Sequence, residues 1–393
     1  MTAENYKFRM DRVRENMHGK ADVFFLGPSS DFFYLCGYGN KADERLLLLV
    51  LPLDEPPFII ANLLYKEQLI SLPSSGLFDE FIFWKDGEDP FIVLKAAMDK
   101  RKIPIKRIAA ESRLPALFTI PLAKTFPSSE FILGNMLTEP LRQYKDEAEL
   151  QLIRNACRQS DAALTVLMGE GEGALATPLG VGKAANDGKA SRWLGKSEAE
   201  FFATLSGEFY NRGLKNFGAG IAVGANAAMP HHGSGKDKIE SGKCLLVDFW
   251  GSLDSYFTDC TRTFHFGKPE KEFEKIHAIV LEAQEAAQAA VLPGKTLSDV
   301  DYAARSIIEK AGYGEFFTHR TGHGCGIDVH EGDSVNAGVN VLLERGMVFS
   351  IEPGIYLPGR FGVRIENLVA VTESGCEILH SFPKDLMVIG NLW

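Results

Sequence analysis

Leu245-Leu-Val-Asp-Phe-Trp250, followed by Tyr256-Phe-Thr-Asp-Cys-Thr-Arg-Thr263, is the stretch on which the reading of this chain turns. Both pieces are short apolar runs of strand character, and each holds an aspartate within it. The break around Gly251–Asp254 is short enough to join adjacent antiparallel strands, which brings Asp248 and Asp259 to one place. The pattern recurs downstream. Glu352 closes Val348-Phe-Ser-Ile-Glu352-Pro, Glu366 lies in Gly362-Val-Arg-Ile-Glu366-Asn, and the turn Leu357-Pro-Gly359 separates them. An ionised carboxylate buried without a partner is strongly disfavoured or becomes neutral. Four of them in one domain call for a shared counter-charge, and two divalent cations would balance them.

A histidine ligand is expected from Thr318-His-Arg-Thr-Gly-His-Gly-Cys-Gly-Ile-Asp-Val-His-Glu331, where His319, His323 and His330 cluster among glycines that let backbone approach closely. A set rich in oxygen donors with one histidine suits Mn, Co, Zn or Fe and does not choose between them. Cys325 in the same stretch has no Cys–His–Asn arrangement around it and reads as a bystander. His232, Asp254 and Asp328 read as rim, turn and strand-end residues.

Working outward, 393 residues exceed the size at which one core stops growing, so two domains are expected. With 45% hydrophobic and 24% charged residues there is ample material for a core, which argues against wholesale disorder. The net charge of -10 disfavours nucleic acid or an anionic membrane as a partner. The polar, charged segment from Met1 to Arg12 has no apolar leader, which predicts a cytoplasmic protein. The longest aliphatic run, Leu46 to Leu51, is too short to span a bilayer and suits a buried strand. Six scattered cysteines without a CxxC pair predict reduced thiols.

In the first third, strand-like runs at Asp22–Leu26, Arg45–Leu51, Pro57–Ala61, Phe81–Trp84 and Arg107–Ala110 alternate with helical patterns at Tyr65–Ser71 and Asp89–Lys100. This predicts an α/β N-terminal domain over 1–138. A long amphipathic helix is expected over Leu141–Met168. Residues 139–393 would form an α+β domain, with strands at Cys244–Trp250, Tyr256–Phe266, Met347–Ile351 and Gly362–Val371. Two helices, Lys271–Val291 and Leu297–Ala311, are split by Pro293-Gly294. Seven glycines between Gly169 and Gly195 mark a flexible insertion; Gly180-Val-Gly-Lys183-Ala lacks the Ser/Thr and the glycine spacing of a phosphate-binding loop.

With these residues in view, the chain resembles the metallopeptidases of the pita-bread fold. These are Xaa-Pro dipeptidase (prolidase), Xaa-Pro aminopeptidase and, more distantly, methionine aminopeptidase and creatinase. The family's ordered ligands fall on Asp248, Asp259, His323, Glu352 and Glu366, within VD-F, TD-TRT, GHG-G--VHE, IEPGIY and VRIE. Asp22–Tyr38 and Glu44–Pro52 look like its creatinase-type N-terminal domain, and Leu141–Glu149 like the first helix of its catalytic domain. Three features depart from the pattern: Asn367 where aspartate is usual, Cys260 where an aliphatic residue is common, and the insertion at 169–195.

The resemblance implies that His323 and Glu352 bind one cation and Asp248 the other, with Asp259 and Glu366 bridging. It implies that Glu352 also carries the proton of the attacking water, and that His231 and His330 are the non-ligand catalytic histidines, with His319 a further candidate. Arg364 shares a strand face with Glu366 and is expected to hold a ligand carboxylate or to pair with a substrate carboxylate. The implied substrate is a proline-containing di- or oligopeptide. The Xaa-Pro bond is a tertiary amide with fixed φ, so a dedicated pocket is physically sensible. Xaa-Pro dipeptidase is the leading expectation and Xaa-Pro aminopeptidase the alternative. A homodimer is also implied. Competing readings are a metal-free creatinase-like amidinohydrolase and a non-catalytic binding homologue, both of which the complete five-ligand set opposes. Hydrolysis of phosphotriesters or other esters by the same centre could coexist with peptidase activity.

Overall fold

A computed structural model describes residues 1–39, 43–168 and 191–390. It divides into two compact units, Met1–Arg142 and Gln143–Trp393. Most of the expected insertion, residues 169–190, lies outside the described residues. Ser191–Trp193 forms a 3-10 turn, and the Trp193 indole Nε1 donates to Leu167 O at 3.0 Å, tying it to the end of the preceding helix.

In the first unit the strands are β1 (Val23–Leu26), β2 (Leu48–Pro52), β3 (Phe58–Asn62), β4 (Phe81–Trp84), β5 (Arg107–Ala110) and β6 (Glu130–Leu133). They form one mixed sheet in the order β4-β3-β2-β1-β5-β6. Every residue of β1, β2 and β3 is buried, whereas the edge strands β4 and β6 are partly exposed. Uninterrupted apolar runs such as Val23-Phe-Phe-Leu26 thus occupy central strands covered on both faces.

The second unit contains β7 (Lys215–Val223), β8 (Cys244–Leu253), β9 (Tyr256–Phe266), β10 (Gly322–Gly324), β11 (Glu331–Val335) and β12 (Val348–Ile351). It continues through β13 (Gly354–Leu357), β14 (Phe361–Arg364), β15 (Asn367–Val371), β16 (Cys376–Ile378) and β17 (Val388–Ile389). Among the described residues these make three sheets, ordered β17-β9-β8-β7, β11-β10-β12-β15-β16 and β13-β14.

β8 runs three residues beyond the expected Trp250 and turns at Asp254-Ser255, both at positive φ (49° and 70°). Paired positive φ values give the two-residue turn whose twist matches a hairpin. Along β8 the two faces separate cleanly. Leu245, Val247 and Phe249 join a core with Phe201, Leu205 and Phe209 of helix Glu198–Asn211. Cys244 and Leu246 join the opposite core, which contains Val280 and Ala283 of helix Lys271–Ala289 and Val300 and Ala304 of helix Leu297–Lys310. Asp248 and Trp250 continue this second face past the end of its apolar core.

Two expectations are corrected. The long helix begins at Glu147, not Leu141, because helix Asn135–Arg142 ends separately and Asp146 starts a new one. The Asp146 carboxylate accepts from Glu149 N at 2.8 Å while Glu149 accepts from Asp146 N at 2.9 Å, a reciprocal cap. The expected strand Gly362–Val371 is interrupted: β14 pairs with β13, β15 pairs with β12, and Ile365-Glu366 lies between.

Gly322 is required by close packing. An added Cβ would sit 1.8 Å from Ser350 O on β12. Gly322→Ala is expected to destabilise the protein by about 2 kcal/mol or more, as overpacking against backbone does. Urea unfolding measures this, and an unchanged midpoint would contradict the close approach.

Candidate metal centre and active site

Two acids lie within paired strands and two just beyond strand ends. Asp248 and Asp259 come from the β8–β9 hairpin, where Trp250 is the register partner of Asp259 and Thr261 of Asp248. Glu352 follows β12 and Glu366 precedes β15, just beyond the last paired residues Ile351 and Asn367. The backbone leaves one sheet for another at this point, so both glutamates project where the ladder stops. His323, on β10, presents Nε2 at 3.3 Å from Glu352 Oε1 and 3.5 Å from Asp259 Oδ2.

The ligand atoms gather in overlapping groups, each within 4.8 Å: Asp248, Asp259 and Glu366; His323, Glu352 and Glu366; Asp259, His323 and His330. A cavity of about 980 Å³ lies over them and is lined by all nine residues singled out from the sequence, including His231, His319 and Arg364. His231 and His330 are exposed in it, and the His330 ring stands edge-on to His323 at 4.0 Å.

Electrostatics show what the site lacks. Burial, then the charge of Glu366, holds the Asp259 and Glu352 carboxyls well above the usual range. Burial, then Asp248, lifts Glu366 to about 7. Burial, then His330, lowers His323 to about 3, so its imidazole is neutral and free to ligate. Glu366 Oε1 is buried without a hydrogen-bond partner. An orphaned carboxylate oxygen among crowded acids and a neutral imidazole fits divalent cations held by Asp248, Asp259, His323, Glu352 and Glu366.

Arg364 is buried and touches several of these groups. It lies 2.8 Å from Asp248 Oδ2, donates to Thr261 Oγ1 at 3.1 Å and to Tyr356 Oη at 2.9 Å. The Thr261 hydroxyl in turn lies 2.7 Å from Glu366 Oε2 and 3.0 Å from Asp248 Oδ1. His319 Nδ1 donates to Arg320 O at 2.7 Å, since a carbonyl only accepts. Its Nε2 therefore accepts from Tyr356 Oη at 2.7 Å. Both nitrogens of His319 are engaged by the protein, which distinguishes it from His231 and His330.

Several residues of this surround were not singled out from the sequence. Thr261 and Tyr356 lie within quoted motifs, yet neither carries a charge to draw attention. Glu198, fully buried, accepts from Val223 N (2.8 Å), Asn226 Nδ2 (2.9 Å), Gly235 N (2.8 Å) and His232 Nε2 (2.8 Å). It thereby holds both ends of the segment that bears His231. Lys145 and Glu331 form a buried pair at 2.9 Å beside His330.

This fold and this cluster define a metallopeptidase, and the chain belongs to metallopeptidase family M24, whose model matches residues 151–373. The creatinase/prolidase N-terminal domain matches residues 9–144. Over 368 residues the chain is 33% identical to YkvY of Bacillus subtilis, covering 93% of this chain and 95% of that protein. Among solved structures it is similar to a prolidase from Thermococcus sibiricus (31% identity, TM-score 0.87, 98% and 99% of the two chains covered). It is also similar to dipeptidase PepE from Mycobacterium ulcerans (31% identity, TM-score 0.85, 99% of each chain covered). Among the described residues no helix is long and apolar enough to cross a membrane, and the six cysteines are free thiols.

Two outcomes follow from these contacts. Carboxyls with raised pKa values hold protons in the metal-free protein, and a cation must displace them. Divalent-cation binding is therefore expected to release protons near pH 6 and to tighten as pH rises through about 7. Calorimetry in buffers of different ionisation enthalpy tests this; pH-independent affinity without proton release would contradict it. Glu198→Ala leaves several buried donors unpaired and is expected to cost about 3 kcal/mol or more. A variant of unchanged stability in urea would show that the segment is held by other contacts.

Proposed function

We propose that this chain is a cytoplasmic, homodimeric Xaa-Pro dipeptidase that works with two divalent cations. The observation that carries the two-cation reading is the sharing of Glu366, with its orphaned Oε1, between the Asp248–Asp259 group and the His323–Glu352 group. This supports Asp259 and Glu366 as bridges, Asp248 as ligand to one ion, and His323 with Glu352 as ligands to the other. The dipeptide and proline specificity is supported by likeness to a prolidase and a dipeptidase along nearly the full length of all three chains.

When bound, the cations supply Lewis acidity, lowering the pKa of water and polarising the scissile carbonyl. The chain's own groups do the rest. Glu352 lies at the cavity with Oε1 facing His323 and Ser350 Oγ, 3.3 Å from each, and is the carboxylate that takes the water's proton. His231 and His330 are exposed in the cavity, placed to stabilise the developing oxyanion or to donate to the leaving nitrogen. The leaving nitrogen of an Xaa-Pro bond bears no hydrogen, so a proton has to reach it. Arg364 acts through its contacts to Asp248, Thr261 and Tyr356 and fixes the ligand carboxylates. His319 acts one step further out, as a positioning residue that orients Tyr356. The units divide at Arg142, four residues beyond the boundary expected from sequence.

The test is to strip the protein of metal, restore Mn, Co, Zn or Fe separately, and assay Xaa-Pro dipeptides beside Xaa-Pro-Yaa tripeptides. Metal-dependent cleavage of dipeptides is expected. Cleavage of tripeptides alone would make the enzyme an aminopeptidase, and cleavage of neither would overturn the reading. Asp259→Asn and Glu366→Gln are each expected to lower kcat/KM by about 10³ or more with loss of both ions. Full metal content and turnover in either variant would contradict the bridging roles.

A further inference from the structure

The face of β8 that carries Asp248 also carries Trp250. On the neighbouring strand Gly218 is the register partner of Trp250, and Gly220 of Asp248. Glycine therefore stands at both β7 positions where a side chain would project over the site. The two gaps differ. A Cβ at Gly220 would meet nothing nearer than 3.6 Å, so that gap is part of the cavity. A Cβ at Gly218 would fall 2.3 Å from Trp250 Cζ2 and 2.4 Å from Cε2, so the indole lies directly across that glycine.

Trp250 is only half-buried and lines the cavity. Trp84 and Trp193, both buried, donate Nε1–H to Leu46 O and Leu167 O at 3.0 Å, as a core tryptophan usually does. The Trp250 Nε1–H has no such partner among the described residues. This large, rigid aromatic surface is packed on backbone from one side and faces the cavity on the other. Ala219, Ala228, Met229 and Pro230 line the cavity with it, whereas Arg320, His323 and His330 come from the 318–330 segment.

We propose that Trp250, laid over Gly218, is the apolar wall for the side chain preceding the scissile bond and makes the enzyme favour large apolar residues there. The proposal rests on the Xaa-Pro reading of the site. Direction follows from charge. The free ammonium of a dipeptide belongs to its first residue and is drawn to the carboxylates of the β8–β9 hairpin, which flank Trp250. The terminal carboxylate belongs to proline and is drawn towards the Arg320 guanidinium, which lines the cavity on the 318–330 segment. The first residue thus lies against the indole, where each methylene removed from water adds affinity.

The experiment compares wild type with Trp250→Ala, Trp250→Phe and Gly218→Ala, using kcat and KM for Gly-Pro, Leu-Pro and Phe-Pro. Wild type is expected to favour Leu-Pro and Phe-Pro over Gly-Pro in kcat/KM by about tenfold or more. Trp250→Ala should bring that ratio towards one by raising KM for the larger substrates. Trp250→Phe should retain most of the preference. Gly218→Ala, which pushes a methyl into the ring, should alter the ratio with Trp250 still present. Equal losses for all three substrates in Trp250→Ala, or an unchanged ratio, would overturn the proposal. A second measurement separates it from the Xaa-Pro reading: calorimetric binding of leucine hydroxamate and glycine hydroxamate to the metal-loaded protein. If wild type cleaves no Xaa-Pro dipeptide, the Xaa-Pro reading falls. Stronger binding of the leucine compound that disappears in Trp250→Ala would still support the wall, and equal binding of both by wild type would remove it.

Discussion

Mutual repulsion among four carboxylates is the constraint to which the second unit is built. Arg364 lies 2.8 Å from Asp248 and 4.0 Å from Glu352, yet Asp259, Glu352 and Glu366 remain crowded together around the neutral His323. Left alone, such a group holds protons; charged, it needs cations. The strand arrangement makes the crowding unavoidable. A tight β8–β9 hairpin fixes two acids side by side, and the exchange of partners between β12–β15 and β13–β14 puts the other two at the edge of a ladder.

Around this centre a second set of buried charges holds the segments that bear His231 and His330. Glu198 ties down the segment with His231, and Lys145 with Glu331 fixes the turn after His330. Each costs desolvation, and each is paired or fully hydrogen-bonded, the condition under which buried charge confers a defined geometry. The chain of contacts through Arg364, Thr261, Tyr356 and His319 does the same for Asp248 and Glu366. Of its members, only Arg364 touches one of these carboxylates as an ion.

The cluster of Asp248, Asp259, Glu352 and Glu366 was legible in the sequence because a carboxylate inside an apolar strand is anomalous and has few explanations. The strands of the first unit were legible for a related reason: central strands covered on both faces leave continuous runs such as Leu46 to Leu51. Glu198 was not legible. It opens a helix whose cap is the reciprocal pair Ser197 and Glu200, and an acid in a first turn ordinarily complements the helix dipole from solvent. Only the return of Val223 and Gly235 to it in three dimensions reveals its burial. The start of the long helix was misplaced because Leu141–Glu149 keeps a helical composition across a break made by Asp146. Trp250 was legible as a strand residue, while its place on the cavity depends on Gly218 across the ladder.

The central claim is that these five side chains form one centre for two ions, joined through Asp259 and Glu366. Anomalous diffraction from crystals grown with manganese addresses it most directly. Two peaks per chain are expected, one beside Asp248 and one between His323 and Glu352, with Asp259 and Glu366 in contact with both. A single fully occupied peak, or two peaks that do not share Glu366, would contradict it.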